Sequence, residues 1–213
     1  MTLNIVRPLL LVGLMLLASA PGVATLFPYN VIIDTSNVNG TDGAVYMQFN
    51  PGPILPVDPA SVEITDFAID GLPVPLGPEG PYFTGDVTGS LDSLPLTIAN
   101  TEGLNDYLHF VTFGNAMRFR VTFDLPAPLT GDSGSTFYFE LDGDDGITPI
   151  LADDGAPLSG QIDYDVNGAF TVNAFSEAIG IEAVPEPASL SLVGLGLAVG
   201  LACLARRLNR PAR

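Results

Sequence analysis

The densest chemistry in this sequence is acidic. Asp142-Gly143-Asp144-Asp145-Gly146 is followed closely by Asp153-Asp154-Gly155. Calcium prefers clustered oxygen ligands on a tight glycine turn, so Asp142, Asp144, Asp145, Asp153 and Asp154 are the candidate metal ligands, with calcium the one cofactor to consider. The spacing departs from the EF-hand loop, and the glutamate that closes such a loop is missing. The same residues also fit a hairpin turn, where Asp and Gly supply turn geometry and solvation. His109 is the only histidine. A two- or three-histidine zinc site is therefore excluded, and His109 reads as a strand residue, structural or facing solvent. Gly131-Asp132-Ser133-Gly134 is not the Gly-x-Ser-x-Gly nucleophile elbow. Paired carboxylates can cleave glycosides, but among 24 acidic residues no two stand out, and the chain has no Trp to platform a sugar. Tyr46, Tyr82, Tyr107 and Tyr138 are the aromatic surfaces left for stacking. No catalytic set emerges, and the expectation is a protein that is not an enzyme.

Charge is segregated. All 24 acidic residues lie between Asp34 and Glu186, where only Arg118 and Arg120 are basic, so this stretch carries about 22 net negative charges. Nucleic-acid binding is disfavoured, because phosphate contacts need cations. Such a surface stays soluble and repels its own copies. The single cysteine, Cys203, lies near the C-terminus, so the middle of the chain holds no disulfide and depends on its hydrophobic core.

Both ends read as targeting segments. Arg7, an apolar run over 9–17 and the small residues after it form a secretory signal. Cleavage after Ala20 would leave Pro21 first, so Ala24 is the better site, and the signal is assigned to 1–24. At the other end, Pro185-Glu186-Pro187 precedes an uncharged stretch, 188–205, and then Arg206, Arg207, Arg210 and Arg213. The uncharged stretch would extend roughly 27 Å as a helix, close to the hydrocarbon thickness of a bilayer. The arginines would hold the C-terminus in the cytoplasm. The prolines keep the preceding backbone extended, in the form a processing enzyme can grip. A plain single-span anchor, never cut, is the alternative.

This order of motif, span and basic stop resembles the PEP-CTERM sorting signal of exported Gram-negative surface proteins. The resemblance implies an exosortase-type processing enzyme as a partner and a membrane-anchored intermediate before processing. It implies the cell surface or extracellular matrix as the destination, with extracellular polysaccharide as a further partner.

Between the two ends, strand periodicity runs throughout and helical periodicity is absent. Tyr29, Val31 and Ile33 alternate with Asn30, Ile32 and Asp34, and Val45, Met47 and Phe49 with Ala44, Tyr46 and Gln48. The clearest case is 117–125, with apolar residues at every odd position. Phe137, Phe139 and Leu141 repeat the pattern, and a hairpin between these two stretches would set Arg118 and Arg120 opposite Glu140 and Asp142. Val62 and Ile64 alternate until the phase slips near Asp66, which predicts a bulge. Leu94, Leu96 and Ile98 predict a short strand, and 108–113 is apolar on both parities except at His109 and Thr112. Ile162, Tyr164 and Val166 predict another strand, joined by an Asn167-Gly168 hairpin to 170–175. Many short strands punctuated by Gly, Asn and Pro turns indicate an all-β fold, a single antiparallel sandwich or jelly roll over 25–183. Residues 184–213 then form the sorting segment.

Within the sandwich, Ile33-Asp34-Thr35-Ser36, Gln48-Phe49-Asn50-Pro51-Gly52, Gly85-Asp86-Val87-Thr88-Gly89, Phe113-Gly114 and Ser133-Gly134-Ser135-Thr136-Phe137 occur in order. They resemble a family of exported PEP-CTERM proteins of undetermined activity, which supplies a β fold and a location but no site residues. The leading expectation is a non-enzymatic surface or matrix component of a biofilm or exopolysaccharide. The alternative is a carbohydrate- or calcium-binding β-sandwich module.

Overall fold

The computed structural model describes residues 25–70, 81–150 and 159–185. The expected signal segment, spanning helix and basic tail lie outside the described residues. Twelve strands follow in chain order: β1 (Thr25–Asp34), β2 (Asp42–Pro51), β3 (Ser61–Ile69), β4 (Tyr82–Thr84), β5 (Val87–Thr88), β6 (Leu96–Ala99), β7 (Asp106–Thr112), β8 (Ala116–Leu125), β9 (Ser135–Asp142), β10 (Gly160–Tyr164), β11 (Phe170–Ala174) and β12 (Ile179–Ala183). Among the described residues the helical content is one 3-10 turn, Ser36–Val38. The strands form two six-stranded antiparallel sheets packed as a sandwich. One has the order β12-β1-β8-β3-β6-β5, the other β11-β10-β9-β2-β7-β4.

The core follows from period-2 alternation, because successive side chains on a strand point to opposite faces. Met117, Phe119, Val121, Phe123 and Leu125 of β8 are all buried, while Arg118 and Asp124 are exposed. Val45, Met47 and Phe49 of β2 and Phe137, Phe139 and Leu141 of β9 meet them from the second sheet. Phe123 lies at the aromatic centre. Its ring centroid is 5.1 Å from Phe170, 5.9 Å from Phe49, 6.0 Å from Tyr29 and 6.3 Å from Phe137. These four contacts are edge-to-face, the arrangement the ring quadrupole favours.

The bulge expected near Asp66 is present. Register with β8 slips between Thr65 and Ala68, and Asp66 takes φ +55°. The Asn167-Gly168 turn joins β10 to β11, paired from Tyr164↔Phe170 to Gly160↔Ala174. Strand β7 is covered on its core face at Tyr107, His109 and Val111, and its outer residues Leu108 and Phe110 are half-buried. Tyr82 packs edge-on to Phe110 at 6.4 Å, and the turn at Gly146 approaches both Leu108 and Phe110.

Three expectations are corrected. β8 and β9 do not form a hairpin. β8 lies between β1 and β3 in one sheet, while β9 lies between β10 and β2 in the other. The link between them carries Pro126 and Pro128 and is bound to another loop: the Asp58 carboxylate accepts from Thr130 N, Thr130 Oγ1 and Gly131 N at 2.6–2.9 Å. A tight turn is thereby replaced by a crossing. Leu94 is not in a strand; β6 begins at Leu96, after Pro95, which has no N–H for a ladder. Val166 sits in the turn after β10 and is exposed.

Candidate functional site

The sorting segment begins where the sandwich ends. β12 closes at Ala183, Pro185 is exposed, and the chain divides into two units at 183/184. Glu186, Pro187 and the arginines Arg206, Arg207, Arg210 and Arg213 lie outside the described residues. The last strand pairs with the first, Tyr29 opposite Ala183. Entry to the sandwich and exit from it are therefore on neighbouring strands of one sheet, and no strand follows β12 among the described residues.

The acidic constellation divides. Asp145 belongs to its turn: Oδ1 accepts from Ile147 N at 2.9 Å and Thr148 N at 2.8 Å, and Oδ2 from Thr148 Oγ1 at 2.6 Å. Those bonds hold its carboxyl below the usual range. Asp144 is exposed beside it. Asp142 is only 3% exposed, at the end of β9. Asp153 and Asp154 lie outside the described residues. Among the described residues no group of three or more His, Cys, Asp or Glu is placed to hold a metal.

His109 faces the core. It is buried, and its Nδ1 lies 2.9 Å from the Tyr107 hydroxyl, which also accepts from Leu91 N at 2.9 Å. Tyr107 is wholly buried and so is removed from the surfaces that could stack a sugar. Tyr46 and Tyr138 share the outer face of the second sheet, with ring centroids 6.3 Å apart. Gln48 donates to the Tyr46 hydroxyl, which donates to Asp106 Oδ2 at 3.1 Å.

On that face Glu140 and Asp142 lie two residues apart on β9. Burial pushes the Glu140 carboxyl up to about 7, with the negative charge of Asp142 adding to the rise. Burial likewise raises Asp142. The alternation on β9 marked Glu140 as an outward residue. It did not reveal a raised carboxyl, because that depends on how far the folded sheet buries the residue. The folded state holds the Glu140 proton between about pH 4.5 and 7 while the unfolded chain releases it, so stability falls as pH rises through that window. The expected result is a melting temperature higher at pH 5 than at pH 8, with a smaller difference in Glu140→Gln. A thermal melt series across pH checks it; an unchanged difference in the variant would assign the effect to the overall negative charge.

The two lone cations lie on the opposite outer face. Arg120 Nε donates to Asn30 Oδ1 at 3.1 Å, and its Nη1 lies 3.7 Å from Asp66 Oδ2. The expected partners Glu140 and Asp142 belong to the other sheet. The bulge supplies the partner instead, since its extra residue brings Asp66 to Arg120. A groove of about 490 Å³ opens there, lined by Asn30, Ile32, Asp66, Ala68, Arg118 and Arg120.

No curated protein and no solved structure matches the chain. One protein-family signature does, the PEP-CTERM protein-sorting motif over residues 183–210, immediately behind the last strand of the sandwich. Proteins with this signal are exported and sorted to the cell surface, and by this segment the chain is an exosortase substrate.

Proposed function

We propose that the chain is a non-enzymatic component of the cell surface or extracellular matrix, set within the biofilm or exopolysaccharide of a Gram-negative bacterium. The signal segment 1–24 starts export. The stretch 188–205 holds the intermediate in the inner membrane, with the four arginines on the cytoplasmic side. Exosortase processing at the Pro185-Glu186-Pro187 segment then frees the sandwich, 25–183.

The observation that carries this reading is the position of the sorting motif. It starts at residue 183, the final residue of β12. Cutting behind that strand removes no ladder and no core residue among those described, so the described sandwich is left whole. The acidic surface suits a hydrated matrix, where like-charged copies stay apart.

A chain truncated after Ala183 tests it. The expected product melts at the temperature of the processed protein and is recovered from the medium rather than the cell surface. A truncated chain that still reaches the surface would show that the sandwich, not the tail, determines location.

A further inference from the structure

Arg118 lines the same groove as Arg120 and Asp66 but, among the described residues, is paired with no carboxylate. Its neighbours across the sheet are Ile32 on β1 and Ala68 on β3. Both are apolar, and Ile32 is 58% exposed. Arg118 is itself exposed and makes no ion pair or hydrogen bond with the described residues. In a domain this acidic, a cation would be expected to take a carboxylate, as Arg120 does. The bulge explains why Arg118 does not. One extra residue in β3 delivers Asp66 to Arg120, two positions along β8, and places Ala68 opposite Arg118.

We infer that this groove binds a carboxylated sugar chain, an oligo-uronate, with Arg118 holding a carboxylate. A guanidinium presents paired donors that match a carboxylate's two oxygens. The exposed Ile32 offers an apolar patch for the C–H face of a sugar ring, beside Ala68, which is 7% exposed. Asn30, whose Oδ1 is engaged by Arg120, retains its amide N–H groups for a ring hydroxyl. Charge density selects the occupant. Duplex nucleic acid, with one negative charge per about 1.7 Å of axis, is repelled by the acidic surface around the groove, and a second copy of the chain brings its own large negative charge. An oligo-uronate carries one charge per sugar, and at physiological salt the repulsion is screened beyond about 8 Å. The site gives the surface role proposed above a partner class and rests on export to that surface.

The test uses protein purified from exporting cells, titrated calorimetrically at physiological salt with an oligogalacturonate and with a neutral oligosaccharide of the same length. The wild type is expected to bind the oligogalacturonate and not the neutral chain. Arg118→Gln is expected to bind about ten-fold more weakly or worse, the loss of one charge-assisted contact, at an unchanged melting temperature. Wild type that ignores the oligogalacturonate, a variant that binds it equally well, or equal binding of the neutral chain overturns the assignment. A wild-type dimer in light scattering that Arg118→Gln dissociates would also overturn it, by giving the groove to a second copy. Cell fractionation of the same variant reads sorting separately, so loss of binding with normal surface location leaves the sorting reading standing.

Discussion

Phe123→Ala is expected to lower the stability of the sandwich by about 3–5 kcal/mol, the usual cost of truncating a buried phenylalanine. For a domain of this size each kcal/mol corresponds to roughly 2–4 °C, so the melting temperature should fall by about 6–20 °C. Phe123 is wholly buried, and its ring is shared by Tyr29 from its own sheet and by Phe49, Phe137 and Phe170 from the facing one. These neighbours come from four strands that cannot collapse together into the vacated space, because their ladders hold the backbones. Thr122→Ala provides the contrast. Thr122 occupies the adjacent position on β8 with its side chain on the outer face, and its loss should cost under about 1 kcal/mol. Similar losses from the two variants, measured by thermal melts, would contradict the assigned faces of β8.

The second large effect is expected at Asn105. This side chain is wholly buried just before β7. Its Nδ2 donates to Glu102 O at 2.8 Å and to Phe49 O at 3.2 Å, while its Oδ1 accepts from Asp86 N at 3.0 Å. Three backbone groups from separate segments are therefore satisfied by one amide. Asn105→Ala leaves them without it, at about 1–3 kcal/mol for each group that stays buried and unpaired. Asn105→Asp keeps the acceptor for Asp86 N but turns a carboxylate toward two carbonyls. It should be at least as damaging as the alanine variant, as measured by denaturant unfolding. A well-tolerated aspartate would mean that the two donated bonds contribute little. The Gly85-Asp86-Val87-Thr88-Gly89 motif has its explanation here. Gly85 takes φ +77°, and a Cβ there would lie 2.5 Å from Asn105 Oδ1 and 2.3 Å from Leu104 O.

The difference between Phe123 and Asn105 shows what could be read in the sequence. Alternation along 117–125 assigns each side chain to a face, and the faces agree with the structure because the pleat repeats every two residues. Alternation does not name the neighbouring strand. β8 pairs with β1 and β3, which lie far back in the chain, and the hairpin with β9 was the nearer but incorrect choice. Asn105 and Asn100 lie in polar, turn-like stretches, and nothing local separates them from exposed turn residues. Asn100 is nonetheless buried, bonding Ser135 Oγ at 2.7 Å and Ala60 N at 2.8 Å.

The sites divide in the same way. The sorting segment was legible because motif, apolar stretch and arginines are consecutive, so its meaning needs no tertiary contact. The groove draws on β1, β3 and β8, and only the rarity of Arg118 and Arg120 in an acidic domain hinted at it. The phase slip at Asp66 was visible as a bulge, but its consequence was not: it gives one arginine a partner and leaves the other facing Ile32 and Ala68. The raised carboxyl of Glu140 was hidden for the same reason, since its main cause is burial in the folded sheet.

Processing of the tail is read from the mass of the intact protein isolated from its native cells. The predicted mass lacks the signal segment and residues 188–213, leaving a sandwich that ends within the Pro185-Glu186-Pro187 segment, and cells without the processing enzyme retain the longer form. A mature protein whose mass still includes Arg206, Arg207, Arg210 and Arg213 would contradict the account and leave an uncut membrane anchor in its place.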